Sequence, residues 1–187
     1  MDVMQAIYGR RSVRAYTGEA VPRETLEALM QAAVQAPTAV NLQPWAFAVI
    51  EGVERLRGYS DRTKAHLLAH LAEMPFLEGY REFFLDADSN LFYGAPAMIL
   101  IFAQPGGVAP DFDCAMAAQN LMLAAYERGL GTCWIGFFAF LLSQPEVLQE
   151  LGVPEDYRVI APIIVGRPTS PAEPVEKAPP QVIFWQE

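Results

Sequence analysis

The sequence predicts an α+β domain with α/β-type layers, in which helices cover one mixed central sheet. Three observations carry this. Helical and strand-like segments alternate along the chain, the pattern that gives a sheet its flanking helices. The strand-like runs are short, apolar and bounded by turn residues, as in strands buried on both faces. The 187 residues, 52% apolar and 19% charged, suffice for one packed core and are too apolar for a disordered chain. Residues 1–187 are therefore read as one domain, with 167–187 as a Pro-rich C-terminal arm.

The elements follow in order. Residues 2–9 read as a short helix with Met4, Ile7 and Tyr8 on one side. Pro22, at a first helical position where no amide donor is needed, opens a second helix. Leu26, Leu29, Met30 and Ala33 recur there at helical spacing, and Pro37 ends it near Ala36. A turn-like stretch, 38–44, leads into a buried strand at 45–50. Residues 63–73 read as a helix with Leu67, Leu68 and Leu71 inward, and 97–103 as a strand. Asp113 stands before a segment, 114–128, that is apolar on nearly every side. That pattern fits a central buried helix or one sandwiched by a partner subunit, and Gly129 ends it. Residues 132–138 read as a strand or strand-like turn. Ser143 and Glu146 form a capping box for a short helix ending at Gly152. The last strong strand is 157–165, with Pro162 marking an edge or a bulge. Five prolines then fall between Pro168 and Pro180. The arm closes on the apolar run Val182-Ile183-Phe184-Trp185, an anchor that docks on its own subunit or reaches across to another.

Several function classes are excluded. A net charge of −9 argues against nucleic-acid binding, which needs positive charge facing phosphates. No apolar run approaches the ~20 residues of a membrane span, and the first residues lack a signal-peptide pattern, so the expected address is cytoplasmic. Cys114 and Cys133 form no CxxC, so neither a disulfide framework nor a zinc site is indicated. There is no GxGxxG, no GxxxxGK[ST] and no GxSxG. His66 and His70 share one helical face, but Leu67 stands where a metalloprotease would carry its general-base Glu. Glu73 is the one further ligand in reach, and the pair is read as a partly exposed face. A Cys–His nucleophile is disfavoured because Cys133 sits in an apolar run, where a thiol is inert.

Two pieces carry chemistry. Arg10, Arg11 and Arg14 crowd around Ser12, a basic cluster in an acidic protein that suits an anion. Arg brings a planar fork for bidentate, charge-assisted bonds to phosphate or an electron-rich ring oxygen. The second piece, 36–45, sets Asn41 and Gln43 in a turn before a buried strand, and each offers both donor and acceptor to a uracil-like edge.

Together, in this order and spacing, these pieces resemble the nitroreductase family of FMN-dependent oxidoreductases. The resemblance runs through RRSVRAY (10–16), APTAVNLQPWAF (36–47), FYGAPAMILI (92–101), DCAMAAQNLMLAAYERGLGTCWIG (113–136) and VGRP (165–168). Residues 52–91 are generic, and in this family that part is variable and lies near the substrate. The resemblance implies a nitroreductase-like fold with FMN at a homodimer interface. It implies that Arg10 and Ser12, with Arg11 beside them, hold the phosphate and ribityl chain. Arg14 then lies by the pyrimidine edge of the flavin, and Asn41, with Gln43, bonds the ring. The backbone at Ile135 and Gly136 lies by flavin N5. Where many relatives finish the phosphate site with an Arg near the C-terminus, this chain offers Lys177, or else Arg167. The implied activity is ping-pong hydride transfer: NADH or NADPH reduces the flavin, and a nitroaromatic, a quinone or a similar small electron acceptor takes the electrons. The flavin carries the chemistry and no protein acid, base or nucleophile is required. The alternative is a protein that stores or senses FMN without turnover, and a purely structural domain would carry no flavin at all.

Overall fold

The computed structural model describes residues 1–186. Its sheet has four strands in the order β1-β2-β4-β3: β1 (Trp45–Glu51), β2 (Ala97–Ala103), β3 (Gly131–Trp134) and β4 (Arg158–Gly166). All four pair antiparallel. The α+β class holds, and the mixed character of the sheet is confined to one parallel bridge between Ser12 and Thr132. Connectivity explains this. The chain between β1 and β2 leaves and returns at the same end of the sheet, where the Gly52 N–H donates to the Pro96 carbonyl at 2.8 Å. A strand that starts beside the end of its neighbour runs antiparallel to it.

Side chains alternate across the sheet and build a core on each face. Ile99, Ile101, Ile163 and Val165 pack against α2 (Arg23–Ala33) and α5 (Pro110–Glu127). Met98, Leu100, Phe102 and Ile164 share a core with α3 (Val53–Ala69), α4 (Arg81–Leu85) and α6 (Gly136–Leu142). Small residues let α5 lie close on the sheet: Ala117, Ala118 and Ala125 are fully buried. Its outer side keeps Phe112 74% exposed and Met116 39% exposed. The short α1 (Val3–Gly9) buries only Ala6, leaving Met4, Ile7 and Tyr8 exposed.

The structure departs from the sequence reading at several boundaries. Pro22 caps α2 rather than opening it, and the helix stops at Ala33. α3 begins ten residues before the expected 63, at Val53. Its buried side includes Ser60, Thr63 and Lys64, so the inward stripe is not apolar and periodicity misses it. Asp113 does not precede the helix but lies inside α5, which Pro110 opens. Residues 136–138 belong to α6, so the strand expected over 132–138 ends at Trp134. Ser143 forms no capping box. Its hydroxyl donates back to the Phe140 carbonyl at 2.7 Å, and α7 (Pro145–Glu150) is opened by Pro145 with no side-chain cap.

Pro162 lies in an interior strand. Its carbonyl accepts from the Ile135 N–H at 2.8 Å, so its missing N–H falls on that same side, just past the end of β3. The expected bulge lies two residues away: Ile101 pairs with Ala161 and Phe102 with Val159, leaving Ile160 extra. After Gly166 the arm is exposed apart from Pro168, and its apolar end stays uncovered, with Ile183 at 94% and Trp185 at 79%. Among the described residues no helix is long and apolar enough to cross a membrane.

Candidate functional site

Beyond α1, residues 10–17 run extended along the outer edge of β3. The Val13 N–H donates to the Thr132 carbonyl at 3.0 Å, the Thr17 N–H to Arg167 at 3.0 Å, and the Thr169 N–H returns to Ala15 at 3.2 Å. Two glycines permit this approach. A Cβ at Gly131 would come within 2.6 Å of a Val13 methyl, and one at Gly166 within 2.8 Å of the Tyr16 ring. The Tyr16 hydroxyl donates to the Val13 carbonyl at 3.0 Å, and burial pushes that phenol far above its ordinary range.

Extended backbone alternates its side chains. Arg10, Ser12 and Arg14 bear on Cys133, whose thiol is raised by burial and drawn back down by Arg14, Ser12 and Arg10. Arg11 turns away. Its guanidinium donates to the Tyr8 and Arg10 carbonyls at 2.7 and 2.8 Å, capping the end of α1, where a cation meets the negative end of the helix dipole. Its Nε is the one buried side-chain nitrogen or oxygen without a partner among the described residues.

Arg14 opens onto a cleft of about 470 Å³ bounded by Cys133, Trp134, Ile135 and Gly136 on one side and by aromatic side chains on the other. Phe76 and Tyr80 come from a 3-10 turn, Pro75–Tyr80, and Phe137 and Phe140 from α6. Tyr80 meets Phe137 edge-on at 5.1 Å. A Cβ at Gly136 would meet nothing within 4 Å, so the backbone there faces open space. Another cleft, about 450 Å³, lies beside Arg55, Tyr59 and Arg62. There Arg62 already holds Glu150 at 2.8 Å, which spends its charge. The histidine rings lie 4.4 Å apart between centroids, tilted by 36°, His70 Nδ1 lies 2.9 Å from the His66 carbonyl, and among the described residues no third ligand joins them.

Asn41 and Gln43 lie elsewhere. Val40, Asn41 and Gln43 all have positive φ, at 45°, 58° and 51°, a strained run for a β-branched residue and two amides. Two bonds from outside the turn's apex hold it: the Ala39 N–H donates to the Asp113 carboxylate at 3.2 Å, and the Gln43 N–H to Thr38 Oγ1 at 3.2 Å. Gln43 Nε2 donates to Asn41 Oδ1 at 3.1 Å, and both side chains are exposed. The loop feeds the Trp45–Ala103–Arg158 row of the sheet, whereas Ser12 bridges the Glu51–Ala97–Val165–Thr132 row. The two pieces are thus diagonal across the sheet, roughly 20 Å along and roughly 19 Å across by ordinary strand spacings. Sequence reasoning missed Asp113 as the anchor of this loop. The signal was an Asp inside an otherwise apolar helical run.

Lys177 is exposed on the arm. Arg167 Nε donates to Glu19 at 3.2 Å, so Glu19 partners Arg167 and leaves Arg14 to the cleft.

The chain matches the nitroreductase family over residues 7–167. A protein of Methanothermobacter thermautotrophicus, provisionally named an NADH dehydrogenase/NAD(P)H nitroreductase, is 29% identical over 172 residues, covering 90% of this chain and 78% of the relative. A nitroreductase of Bacteroides fragilis, solved with bound FMN, is 28% identical with a TM-score of 0.81, covering 99% of this chain and 98% of that one. A second, from Desulfitobacterium hafniense and also with bound FMN, is 27% identical with a TM-score of 0.82 and covers both chains fully, at 100%.

Proposed function

Because the chain belongs to the nitroreductase family, we propose that it is an FMN-dependent oxidoreductase that passes electrons from NADH or NADPH to small organic acceptors such as quinones and nitroaromatics. The observation that carries this reading is Arg14 lining the cleft at Cys133, Ile135 and Gly136, on an extended segment whose alternation puts Arg10 and Ser12 on the same side. Bound FMN would supply the hydride-level redox chemistry; the chain's residues bind and orient it. Arg10 and Ser12 suit a phosphate and its polar tether, the guanidinium by charge-assisted bonds. Lys177 supports the phosphate end better than Arg167, whose charge Glu19 already meets. Arg11 contributes positive potential from behind rather than a direct contact. The open backbone at Gly136 admits the flat ring, and the aromatic wall keeps water from its face.

A second copy of the chain completes this reading. Asn41 and Gln43 are too far from Arg14 to touch the same ring within one protomer, so the ring contacts they offer belong to a partner's flavin. The apolar residues exposed on α1 and α5, Val40 and Leu42 on the loop, and the uncovered end of the arm supply faces for such a homodimer. Light scattering should give twice the 20.7 kDa chain mass, and a monomer at micromolar concentration overturns the two-protomer site.

The test of function is direct. The purified protein should show a flavin visible spectrum, heat should release FMN rather than FAD, and NADH or NADPH with a quinone should give steady turnover. Bound FMN without turnover would instead indicate a storage or sensing protein.

Arg14 gives a finer test. A cation beside the pyrimidine edge stabilises reduced, anionic flavin more than the neutral oxidised form. Arg14→Gln should therefore lower the midpoint potential by some tens of millivolts, ~30 mV being worth about 1.4 kcal/mol for a two-electron couple. A redox titration at saturating FMN measures it, and an unmoved potential removes Arg14 from the ring edge.

A further inference from the structure

The cleft holds an aromatic residue in a backbone conformation that aromatic residues avoid. Tyr93 lines the cleft at φ 54°, an outlier for so bulky a side chain and one that persists only where the surroundings enforce it. Here they do. The preceding residue, Phe92, is fully buried and meets Phe138 edge-on at 5.1 Å. The Tyr93 N–H donates to the Asn90 carbonyl at 3.1 Å, the Phe92 N–H to Asn90 Oδ1 at 2.8 Å, and the Leu91 N–H to Ser60 Oγ at 2.9 Å. One turn further along α3, Lys64 Nζ donates to the Asp86 and Ser89 carbonyls at 2.9 and 2.8 Å, and Arg57 holds the carbonyls of Ala87 and Asp88. Three side chains of α3 thus fasten the loop that delivers Tyr93.

Besides Arg14 and the Trp134 indole, the cleft holds few side-chain donors. In the reading above Arg14 serves the flavin. The Cys133 thiol turns to the Trp134 carbonyl at 3.8 Å, and Tyr80 stands half-exposed at the mouth against Phe84 and Phe137. Tyr93 lines the cleft half-buried, and no protein group among the described residues accepts a hydrogen bond from its hydroxyl. Aromatic walls stack a planar molecule but leave it free to rotate in its own plane; a single phenol donor fixes that rotation.

We propose that Tyr93 is the acceptor-binding residue of this cleft, its hydroxyl donating to an oxygen of a planar acceptor, the carbonyl of a quinone or the nitro oxygen of a nitroaromatic. This rests on the flavin reading above. An oxygen that gains negative charge as the acceptor is reduced takes a stronger hydrogen bond, so the contact favours oxygen-bearing acceptors over planar molecules without one.

The test is Tyr93→Phe, which keeps the ring. FMN retention and the rate at which NADH or NADPH bleaches the flavin should match wild type. The kcat/KM for p-benzoquinone should fall about three- to tenfold, the weight of one neutral hydrogen bond, while turnover with ferricyanide, which needs no seat in the cleft, stays unchanged. An unchanged benzoquinone kcat/KM overturns the proposal. So does an equal loss with ferricyanide, which would mark Tyr93 as structural. Wild-type protein that binds no flavin overturns the reading beneath it, an outcome visible before any acceptor is added.

Discussion

Arg10→Glu should leave the protein unable to retain FMN, and mixing it with Asn41→Ala should restore part of the binding that each variant lacks. Losing a charge-assisted hydrogen bond weakens affinity by about 1.5–3 kcal/mol, about ten- to a hundredfold, and the new carboxylate adds repulsion against phosphate. Asn41→Ala acts at the opposite corner of the sheet and is expected to weaken flavin by removing a ring contact. If the two residues serve one site from two protomers, each mixed dimer holds one intact site and one doubly defective site. Flavin titration of the variants, singly and after co-refolding, reads this out. Mixtures that bind no more than the sum of the separate variants place Arg10 and Asn41 on one protomer's flavin or on none.

The second large effect is on stability. Lys64 is 95% buried, at 5% exposure, and its ammonium serves the Asp86 and Ser89 carbonyls, with Asp61 at 3.3 Å. Lys64→Met keeps the stem but removes the ammonium from both carbonyls, leaving the Asp86 carbonyl its bond from Ser89 Oγ at 2.9 Å and the Ser89 carbonyl unpaired. Bonds to a charged group are worth about 1.5–3 kcal/mol, and a stranded acceptor costs about 1–3 kcal/mol, so the variant should lose roughly 3 kcal/mol. For a chain of this length that lowers the melting temperature by roughly 6–12 °C. Calorimetry on flavin-free protein isolates the effect from ligand binding. A change of less than a degree would mean that water replaces the ammonium without loss.

The contrast between Lys64 and the apolar strands shows what the sequence discloses. Strands β1 and β2 were legible because each is an apolar run with clear ends, and both helices packed on the α5 side were legible because their inward residues are apolar. α3 was half hidden because its inward face includes Ser60, Thr63 and Lys64, and the partners of Ser60 and Lys64 lie more than twenty residues away. The same holds in the site. Arg10, Ser12 and Arg14 announce an anion by their clustering, and the alternation of an extended chain separates Arg11 from them, but only if that chain is known to be extended. The residues matching the family motif could be named from the sequence. That Asn41 and Arg14 sit at opposite corners could not, because strand order follows from long-range pairing.

The N-terminal segment laid along β3 has a consequence for solubility. A sheet edge exposes unpaired backbone groups that recruit other strands, and residues 12–16 close that edge here through Val13, Ser12 and the glycine contacts at Gly131 and Gly166. The stretch that seals the edge also carries Arg10, Ser12 and Arg14. Proteolytic trimming past Tyr16 would strip both arginines and Ser12 and uncover β3 in a single cut. A nicked chain is therefore expected to turn colourless and to aggregate together, with no soluble apo form in between.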